Sequence, residues 1–331
     1  MALCMTLKKY KIVHLAQTPL VGAPGKLSRV LNQAGISSSS YCVNDYPNKG
    51  ALYKQFIDNT MVLSEMSNYI FDAFLKDVRS SDIIHIHNSL HPDFIKKILP
   101  FCADSKFIYQ VHSPLREGPL FVDRSSELGF YFHKKLVVAQ YQPRHYPEFQ
   151  CVPNVVIDAP TYTAREQGQL LKVIFSPSHT RSGRWNAKMS SVLGDLLVGL
   201  RKSKKIELFM PTKPVPPKEL MLARGCSDVS IDEIMTGAYH QISLEGLCAG
   251  NAVINRADYF STAMLSNISR APNPPPFLYA DDTTILDVIY KLANNVDYTN
   301  EVKHRSYSFF KKHLSPLSLI ERFIEVYDEV S

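Results

Sequence analysis

Three cations lie close together in residues 176–190, which read SPSHTRSGRWNAKMS and directly follow the apolar run KVIF. They are Arg181, Arg184 and Lys188. A cluster of this kind between a buried strand and a helix is either a solvated turn or a cradle for a phosphate group, because a helix N-terminus also favours an anion. The segment by itself leaves both interpretations open.

A carboxylate occupies a similar place in residues 240–254, HQISLEGLCAGNAVI. Here the pattern predicts a short helix that Gly250 can end in a left-handed conformation, and a buried strand follows at once. Glu245 then lies in the first turn of this helix. A carboxylate there can accept hydrogen bonds from two sugar hydroxyls, while N–H groups at the helix start can bind a phosphate. The alternative is a glutamate that only interacts favourably with the helix dipole.

Two further features stand at strand ends in the first half of the chain. Gly22 and Gly25 follow the run KIVHL and precede an amphipathic helix, so the backbone there can approach a ligand closely. The loop is neither a G-x-G-x-x-G fingerprint nor a Walker motif.

His112 ends the run KFIYQVH, where it could bond a sugar hydroxyl, accept a proton or play a structural part. For His85 and His87, on one strand face, a structural role is the preferred interpretation.

The elements that must position these residues follow a regular pattern. Short apolar runs alternate with helical patterns along the whole chain, which is typical of parallel sheets with crossover helices. Five strands are predicted before a polar segment at residues 158–168, and four more follow it: KIVHL, SYCV, DIIHIH, KFIYQVH and LVVAQ, then KVIFS, IELFM, DVSID and NAVIN. In such sheets ligands bind outside the carboxyl ends of the strands. The polar segment is predicted to link two domains.

Composition agrees with a two-domain globular protein. The 331 residues exceed the size at which single cores stop growing, and 45% are hydrophobic against 21% charged. No apolar run approaches the roughly 20 residues of a membrane span, and the N-terminus does not resemble a secretory signal, so we expect a cytoplasmic location. The six cysteines are scattered without metal-binding spacing, and Asp281 and Asp282 are interpreted as a turn and helix cap.

Five segments, in order along the chain, resemble motifs of GT-B glycosyltransferases of the retaining family-4 type. TPLVGAP is similar to their first glycine-containing loop, and YQVHSP has a histidine where they carry an acceptor-side or catalytic one. VPNVVID resembles the PNGVD signature that closes their first lobe. SPSHTRSGRWNAK resembles their loop with an Arg and a Lys for the donor diphosphate, and ISLEGLCAGNAVI resembles their donor-binding segment SLEALACGTPVI. The common order and spacing carry the resemblance.

The resemblance implies an α/β protein of the GT-B fold, with two doubly wound Rossmann-like parallel-sheet domains facing a central cleft. Residues 1–158 would form the acceptor-binding domain and residues 169–305 the nucleotide-sugar-binding domain. Residues 306–331 would form a C-terminal helix that crosses back to the first domain.

The implied activity is transfer of a sugar from a nucleotide-sugar to an acceptor hydroxyl, with retention of configuration. A UDP-sugar such as UDP-glucose is the expected donor, and a glycan, a lipid-linked sugar or a small molecule is the expected acceptor; peripheral contact with a membrane is compatible with this. Two alternatives stay open: a glycosyltransferase acting on modified DNA bases, which the net charge of +6 permits, and a non-catalytic subunit that binds a nucleotide-sugar. No oligomeric state is predicted.

Residue roles follow from the same resemblance. Glu245 would bind the ribose hydroxyls, and His112 would contact the transferred sugar or help to assemble the acceptor site. Cations would stabilise the charge that develops on the diphosphate when the anomeric bond breaks. The residues expected to bind the nucleotide-sugar are Gly22, Gly25, Ser178, Arg181, Arg184, Lys188, Ser243, Leu244 and Glu245. The expected catalytic residues are His112, Arg184, Lys188 and Glu245.

Neither a metal nor any other cofactor is expected, because similar enzymes use positive groups for this task and no D-x-D motif stands in a suitable loop. The chain departs from the family pattern at one point. The family's common E-x7-E pattern places a first acid eight residues before the second, and here that position is Gly237. This departure leaves the transferred sugar open.

Overall fold

The computed structural model describes residues 10–45, 60–65, 68–102, 104–112, 129–140, 142–177, 190–213 and 215–331. The chain divides into two compact units, Met1–Val155 with Leu319–Ser331 and Val156–Ser318. Each unit contains one sheet, and the strand pairs described in both sheets are parallel. The α/β class and the two parallel-sheet domains predicted from the sequence are therefore confirmed.

The first unit has a doubly wound sheet. Its strands are β1 (Lys11–Ala16), β2 (Ser37–Cys42), β3 (Thr60–Val62), β4 (Ile83–His87), β5 (Lys106–Val111), β6 (Lys134–Val138) and β7 (Gln150–Val152). Their spatial order is β3-β2-β1-β4-β5-β6-β7, so the chain reverses its direction of winding between β1 and β4. Its helices are α1 (Ala23–Gln33), α2 (Asn68–Arg79) and α3 (Pro92–Ile98), with short 3-10 turns at Leu20–Gly22, Leu63–Glu65, Leu99–Phe101 and Gln142–Arg144.

The two faces of this sheet differ in chemistry. One face is apolar and packs against α2 and α3, with Val13, Leu15, Ile84, Ile86, Tyr109 and Val111 in the core beside Phe74 and Ile95. Side chains alternate along a strand, so the opposite face receives His14, His85, His87 and Gln110. Cα pairing sets His14 beside His85 and His87 beside Gln110. The register of β1, β4 and β5 therefore places these polar side chains next to one another, where the direction of winding reverses.

The second unit also reverses its winding, between its first and third strands. The strands are β8 (Leu171–Phe175), β9 (Ile206–Phe209), β10 (Val229–Ile231), β11 (Ala252–Asn255) and β12 (Leu278–Tyr279), in the order β12-β11-β10-β8-β9. Its helices are α4 (Ser191–Lys202), α5 (Pro217–Gly225), α6 (Gln241–Cys248), α7 (Tyr259–Ile268), α8 (Ile285–Asn294) and α9 (Val296–Phe309), followed by a π-helical turn at Phe310–Leu314. Apolar residues of β8, β10 and α4 form its core.

The last helix, α10 (Pro316–Asp328), belongs to the first unit from Leu319 onward. Its buried face carries Leu319, Ile320, Phe323, Ile324 and Tyr327. Within the described part of the chain, no helix combines the length and the apolar character that crossing a bilayer requires.

The polar segment at residues 158–168 contains neither helix nor strand, yet it is anchored to the second unit. The Thr161 amide donates to the Cys248 carbonyl at 2.9 Å. Arg165 is buried, and its guanidinium donates to the carbonyls of Leu292 and Ala293 at 2.8 and 3.0 Å. Those carbonyls lie in the last turn of α8, where intrahelical partners are lacking. The arginine therefore acts as a cap for that helix.

Candidate functional site

The second unit holds Glu245 against a buried arginine. Glu245 Oε2 lies 3.2 Å from Arg224 Nη2, and the same nitrogen donates to Ser176 Oγ at 3.2 Å. The Arg224 side chain is 1% exposed, whereas that of Glu245 is 14% exposed. Because Ser176 directly follows β8, the carboxylate is held at the carboxyl end of the strand where the winding reverses. The Glu245 carboxylate is therefore partly accessible to solvent, and the buried Arg224 guanidinium balances its negative charge.

Arg224 was not anticipated from the sequence. It lies in the last turn of α5, within the stretch MLARG, where a cation usually offsets the helix dipole. Its Nε and Nη1 have no hydrogen-bond partner among the described residues. The signal that could have revealed it is a single charge in the stretch MLARG at the end of a helix, five residues before a buried strand.

A hydrogen-bond network fixes the start of α6. Asp232 directly follows β10, and its Oδ2 accepts from the His240 amide at 2.6 Å and from the Ser243 hydroxyl at 2.8 Å. The Ser243 oxygen in turn accepts from Asn255 Nδ2 at 2.9 Å. The side chains of Ser243 and Leu244 are buried, and their amides donate to the His240 carbonyl. The predicted diphosphate contacts in this helix are therefore already engaged within the protein.

The loop before α6 explains the departure from the family pattern. Gly237 has φ +79, and its carbonyl accepts from the Asp258 amide at 3.0 Å and the Ser261 hydroxyl at 2.9 Å. A Cβ at this position would lie 3.2 Å from Asp258 Oδ2. Glycine suits this left-handed, crowded position, whereas an acidic side chain would be strained there. Nearby, the buried Glu233 accepts from the Met235 and Thr236 amides, so that carboxylate serves the loop itself.

The glycine loop of the first unit is an unusual backbone segment. Leu20, Val21 and Gly22 all have positive φ, at 49, 56 and 77°. Left-handed non-glycine residues cost of the order of 1–3 kcal/mol each and cluster at functional sites. The Gly22 amide donates to the Pro19 carbonyl at 2.8 Å, and Gly25 is buried in the first turn of α1. The loop thus stores strain at the carboxyl end of β1.

Four histidines meet on the polar face of the first sheet. His14 Nδ1 lies 2.9 Å from His87 Nε2, and His87 Nδ1 lies 2.8 Å from His112 Nε2. His85 stacks on His87 with ring centroids 4.1 Å apart, and its Nδ1 bonds the Tyr327 hydroxyl at 2.9 Å. The side chains of His14, His85 and His87 are completely buried. His14 was missed in the sequence, although it too sits near the end of a buried strand.

Burial keeps these imidazoles neutral. It lowers the pKa of His14 to about 3 and that of His112 to about 4, because a charged ring would lose its hydration. Burial and the neighbouring rings also lower the pKa values of His85 and His87 well below the usual range. Neutral histidines are potential metal ligands, and ring nitrogens of His14, His85 and His87 lie within 4.8 Å of one another. Both nitrogens of His87, however, are already bonded to other imidazoles.

His112 is held by its backbone as well as by its ring. Its amide donates to Asn88 Oδ1 at 2.7 Å, and its carbonyl accepts from Gln142 Nε2 at 3.0 Å. The residue is half-buried, and its Nδ1 has no partner among the described residues. The structure therefore brings the predicted histidine to the carboxyl end of β5, with Nδ1 not engaged by any described residue.

Four predicted site residues, Ser178, Arg181, Arg184 and Lys188, lie outside the described residues. The segment that carries them begins at Ser176, next to Arg224. Their binding of a diphosphate stays a prediction.

Comparisons with known proteins give matches in structure. Neither a family model nor a curated protein sequence matches the chain. An α-glucosyltransferase in complex with UDP-glucose and DNA containing an abasic site matches with a TM-score of 0.65 and 10% identity, over 97% of this chain and 99% of that one. A glycosyltransferase from Rickettsia africae ESF-5 matches with a TM-score of 0.58 and 12% identity, over 98% and 99%. The pneumococcal O-GlcNAc transferase GtfA, in complex with UDP and GlcNAc, matches with a TM-score of 0.55 and 9% identity, over 98% and 99%.

The chain has the GT-B fold. Its structural neighbours are glycosyltransferases of the GT-B type and match over nearly its full length, so the fold implied by the motif resemblance is confirmed. Identities of 9–12% explain why sequence comparison finds no match to this GT-B chain.

Proposed function

We propose that this GT-B protein is a glycosyltransferase that moves a sugar from a UDP-sugar to an acceptor hydroxyl with retention of configuration. The observation that carries the proposal is the pair of Arg224 and Glu245 at the carboxyl end of β8. Ligands of doubly wound sheets bind at such switch points. A carboxylate fixed there by a buried cation is suited to accept two hydrogen bonds from the ribose hydroxyls of a nucleotide.

The donor diphosphate would bind beside this pair. Ser176 accepts a hydrogen bond from Arg224. The chain continues from Ser176 to Ser178, Arg181, Arg184 and Lys188. As the anomeric bond breaks, negative charge develops on the diphosphate, and pre-oriented cations would stabilise it. We expect them, and not a divalent metal, to supply this stabilisation, so EDTA should leave the activity unchanged.

The first unit would supply the acceptor side. His112 has one ring nitrogen without a partner among the described residues at the carboxyl end of β5, and the strained loop at Gly22 follows β1. The two strands flank β4 on either side, so their ends are close. Retention of configuration rests on the motif resemblance.

A uridine nucleotide is the preferred donor because two of the structural neighbours were determined with UDP-glucose or UDP. The acceptor classes in view are a glycan, a lipid-linked sugar and a small molecule. Modified DNA is a further candidate, since the neighbour with a TM-score of 0.65 is a complex with DNA and this chain carries a net charge of +6. A non-catalytic role as a nucleotide-sugar-binding subunit is the alternative to transfer.

A thermal-shift screen against UDP-, GDP-, ADP- and CMP-sugars tests the donor. A ligand that binds the folded state raises its melting temperature, so UDP-sugars should shift the wild-type protein. Glu245→Gln should reduce the shift, while the exposed control Glu219→Gln should keep it. A shift with UDP-sugars that is equal in wild type and Glu245→Gln would contradict the placement of the nucleotide. No shift with any nucleotide-sugar would contradict the function itself.

A further inference from the structure

The histidines of the first sheet form a hydrogen-bonded series. It runs from His14 through His87 to His112, with nitrogen-to-nitrogen distances of 2.9 and 2.8 Å. Its inner end, His14 Nε2, is buried and has no hydrogen-bond partner among the described residues. Its outer end is the Nδ1 of His112, a half-buried residue, and this nitrogen has no hydrogen-bond partner among the described residues. His85 lies beside the series and is bonded to Tyr327 instead.

Proton counting couples the three rings. A neutral imidazole carries one ring proton, so one of its nitrogens donates and the other accepts. His87 uses both nitrogens on other imidazoles, and it must therefore donate to one neighbour and accept from the other. If His87 donates from Nδ1, then His112 accepts at Nε2 and carries its proton on Nδ1, and His14 likewise donates from Nδ1. If the direction is reversed, all three protons move to Nε2.

The environment selects one of these two directions. Any third arrangement either breaks one of the two hydrogen bonds, leaving two lone pairs or two N–H groups 2.8–2.9 Å apart, or needs a charged ring, which burial opposes, as the lowered pKa values of His14 and His112 indicate. With the protons on Nε2, His14 would leave a buried N–H without an acceptor among the described residues. With the protons on Nδ1, it leaves only a lone pair, and unpaired buried acceptors are less rare than unpaired donors. The direction with all protons on Nδ1 is therefore favoured.

We propose that His14 and His87 are positioning residues that hold His112 neutral with its proton on Nδ1. His112 then presents an N–H donor, not a base, at the carboxyl end of β5. Resting on the proposed function, this assigns His112 the task of donating a hydrogen bond to an oxygen of a bound sugar. The sequence left open whether His112 bonds a sugar hydroxyl or accepts a proton. In this proposal the buried His14 and His87 restrict it to the first role.

The tautomers can be measured without any substitution. Long-range 1H–15N correlation spectra of protein labelled with 15N-histidine distinguish a ring protonated on Nδ1 from one protonated on Nε2 or on both. We expect His112 and His87 at pH 7.5 to be protonated on Nδ1, with the His112 signals assigned from their loss in His112→Gln. A proton on His112 Nε2, or a doubly protonated His112, would overturn the proposal.

Substitution tests the coupling. His87→Phe keeps an aromatic ring but removes both hydrogen bonds, so we expect His112 to show a mixture of tautomers and kcat to fall about tenfold with little change in KM for the donor. His85→Phe is the matched control, since His85 is equally buried on the same face but lies outside the series. It should leave the His112 tautomer unchanged, whatever it does to stability. An unchanged tautomer in His87→Phe, or an equal change in His85→Phe, would overturn the proposal.

Metal analysis of the purified protein tests whether the histidines bind a metal ion. One equivalent of zinc that is lost in His87→Phe would mean that the nitrogens bind a metal instead of each other, and would overturn the proposal. If wild-type protein shows the expected tautomers but transfers no sugar to any acceptor, the proposed function fails while the tautomer assignment stands. The two outcomes are thus separable.

Discussion

At the scale of single residues, the sequence located a carboxylate and a histidine but not the groups that hold them. Glu245 was identifiable because a short helix after a buried strand is a local pattern, although its placement in the first turn was wrong: α6 begins at Gln241, and its first turn contains no acidic residue. Its partner Arg224 belongs to another helix, and no spacing rule joins the two. His112 was identifiable in the same way as Glu245. The hydrogen bonds from His112 to His87 and from His87 to His14 could not be predicted in this way, because they depend on the register of three strands.

The ion pair makes a residue-level prediction about donor binding. Arg224→Met and Glu245→Gln should each raise the Kd for the UDP-sugar about tenfold, which is about 1.4 kcal/mol, because each removes one half of a unit that fixes the carboxylate. The double variant should bind only slightly more weakly than either single one, since residues in direct contact are not additive. Isothermal titration calorimetry measures all three.

The exposed Glu219→Gln is the control for these titrations, and its Kd should equal that of the wild type. If Glu245→Gln weakens binding and Arg224→Met does not, the arginine has no part in positioning the carboxylate.

At the scale of elements, the central strands were predictable and the short outer ones were not. Strands such as β1 and β8 have five or six residues, mostly apolar and each with two β-branched ones, and their bounds were predicted within one residue. The strands β3, β7 and β12 have only two or three residues, too few to show an alternation. Residues 158–168 likewise gave a polar pattern that hid the anchoring role of Arg165.

Two glycines of the second unit provide a matched prediction about local structure. Gly237→Ala should lower the free energy of unfolding by about 1–2 kcal/mol, because φ is +79 there and the new Cβ would lie 3.2 Å from Asp258 Oδ2. Gly199→Ala should raise it by up to about 1 kcal/mol, since Gly199 lies in α4 with nothing within 4 Å of its Cβ position. Urea denaturation measures both. Effects of the same sign would contradict the backbone conformation described for Gly237.

At the scale of the whole molecule, the buried histidines link stability to pH. Their pKa values are lowered in the folded state, so the unfolded chain binds more protons and stability rises with pH. Tyr327, which bonds His85, and Tyr10, whose ring contacts Tyr327, have raised pKa values and do not titrate in the acid range. The stabilisation should be complete above about pH 6.5 and lost as the pH falls toward 4, at up to about 1.4 kcal/mol per pH unit for each ring.

Denaturant titrations at pH 7.5, 6.0 and 5.0 measure this loss. The free energy of unfolding should fall at each step, and His14→Phe should show a shallower fall. A free energy that stays constant from pH 7.5 to 5.0 would contradict the burial of the histidines as neutral rings.

The central claim is that this GT-B chain transfers a sugar from a UDP-sugar. The most direct measurement is the release of UDP together with a labelled sugar product, in EDTA, with glycan, lipid-linked, small-molecule and DNA acceptors. We predict transfer to one acceptor class, unaffected by EDTA and reduced by Lys188→Ala and Glu245→Gln at unchanged folding. Binding of the UDP-sugar without release of UDP under any of these acceptors would contradict the claim.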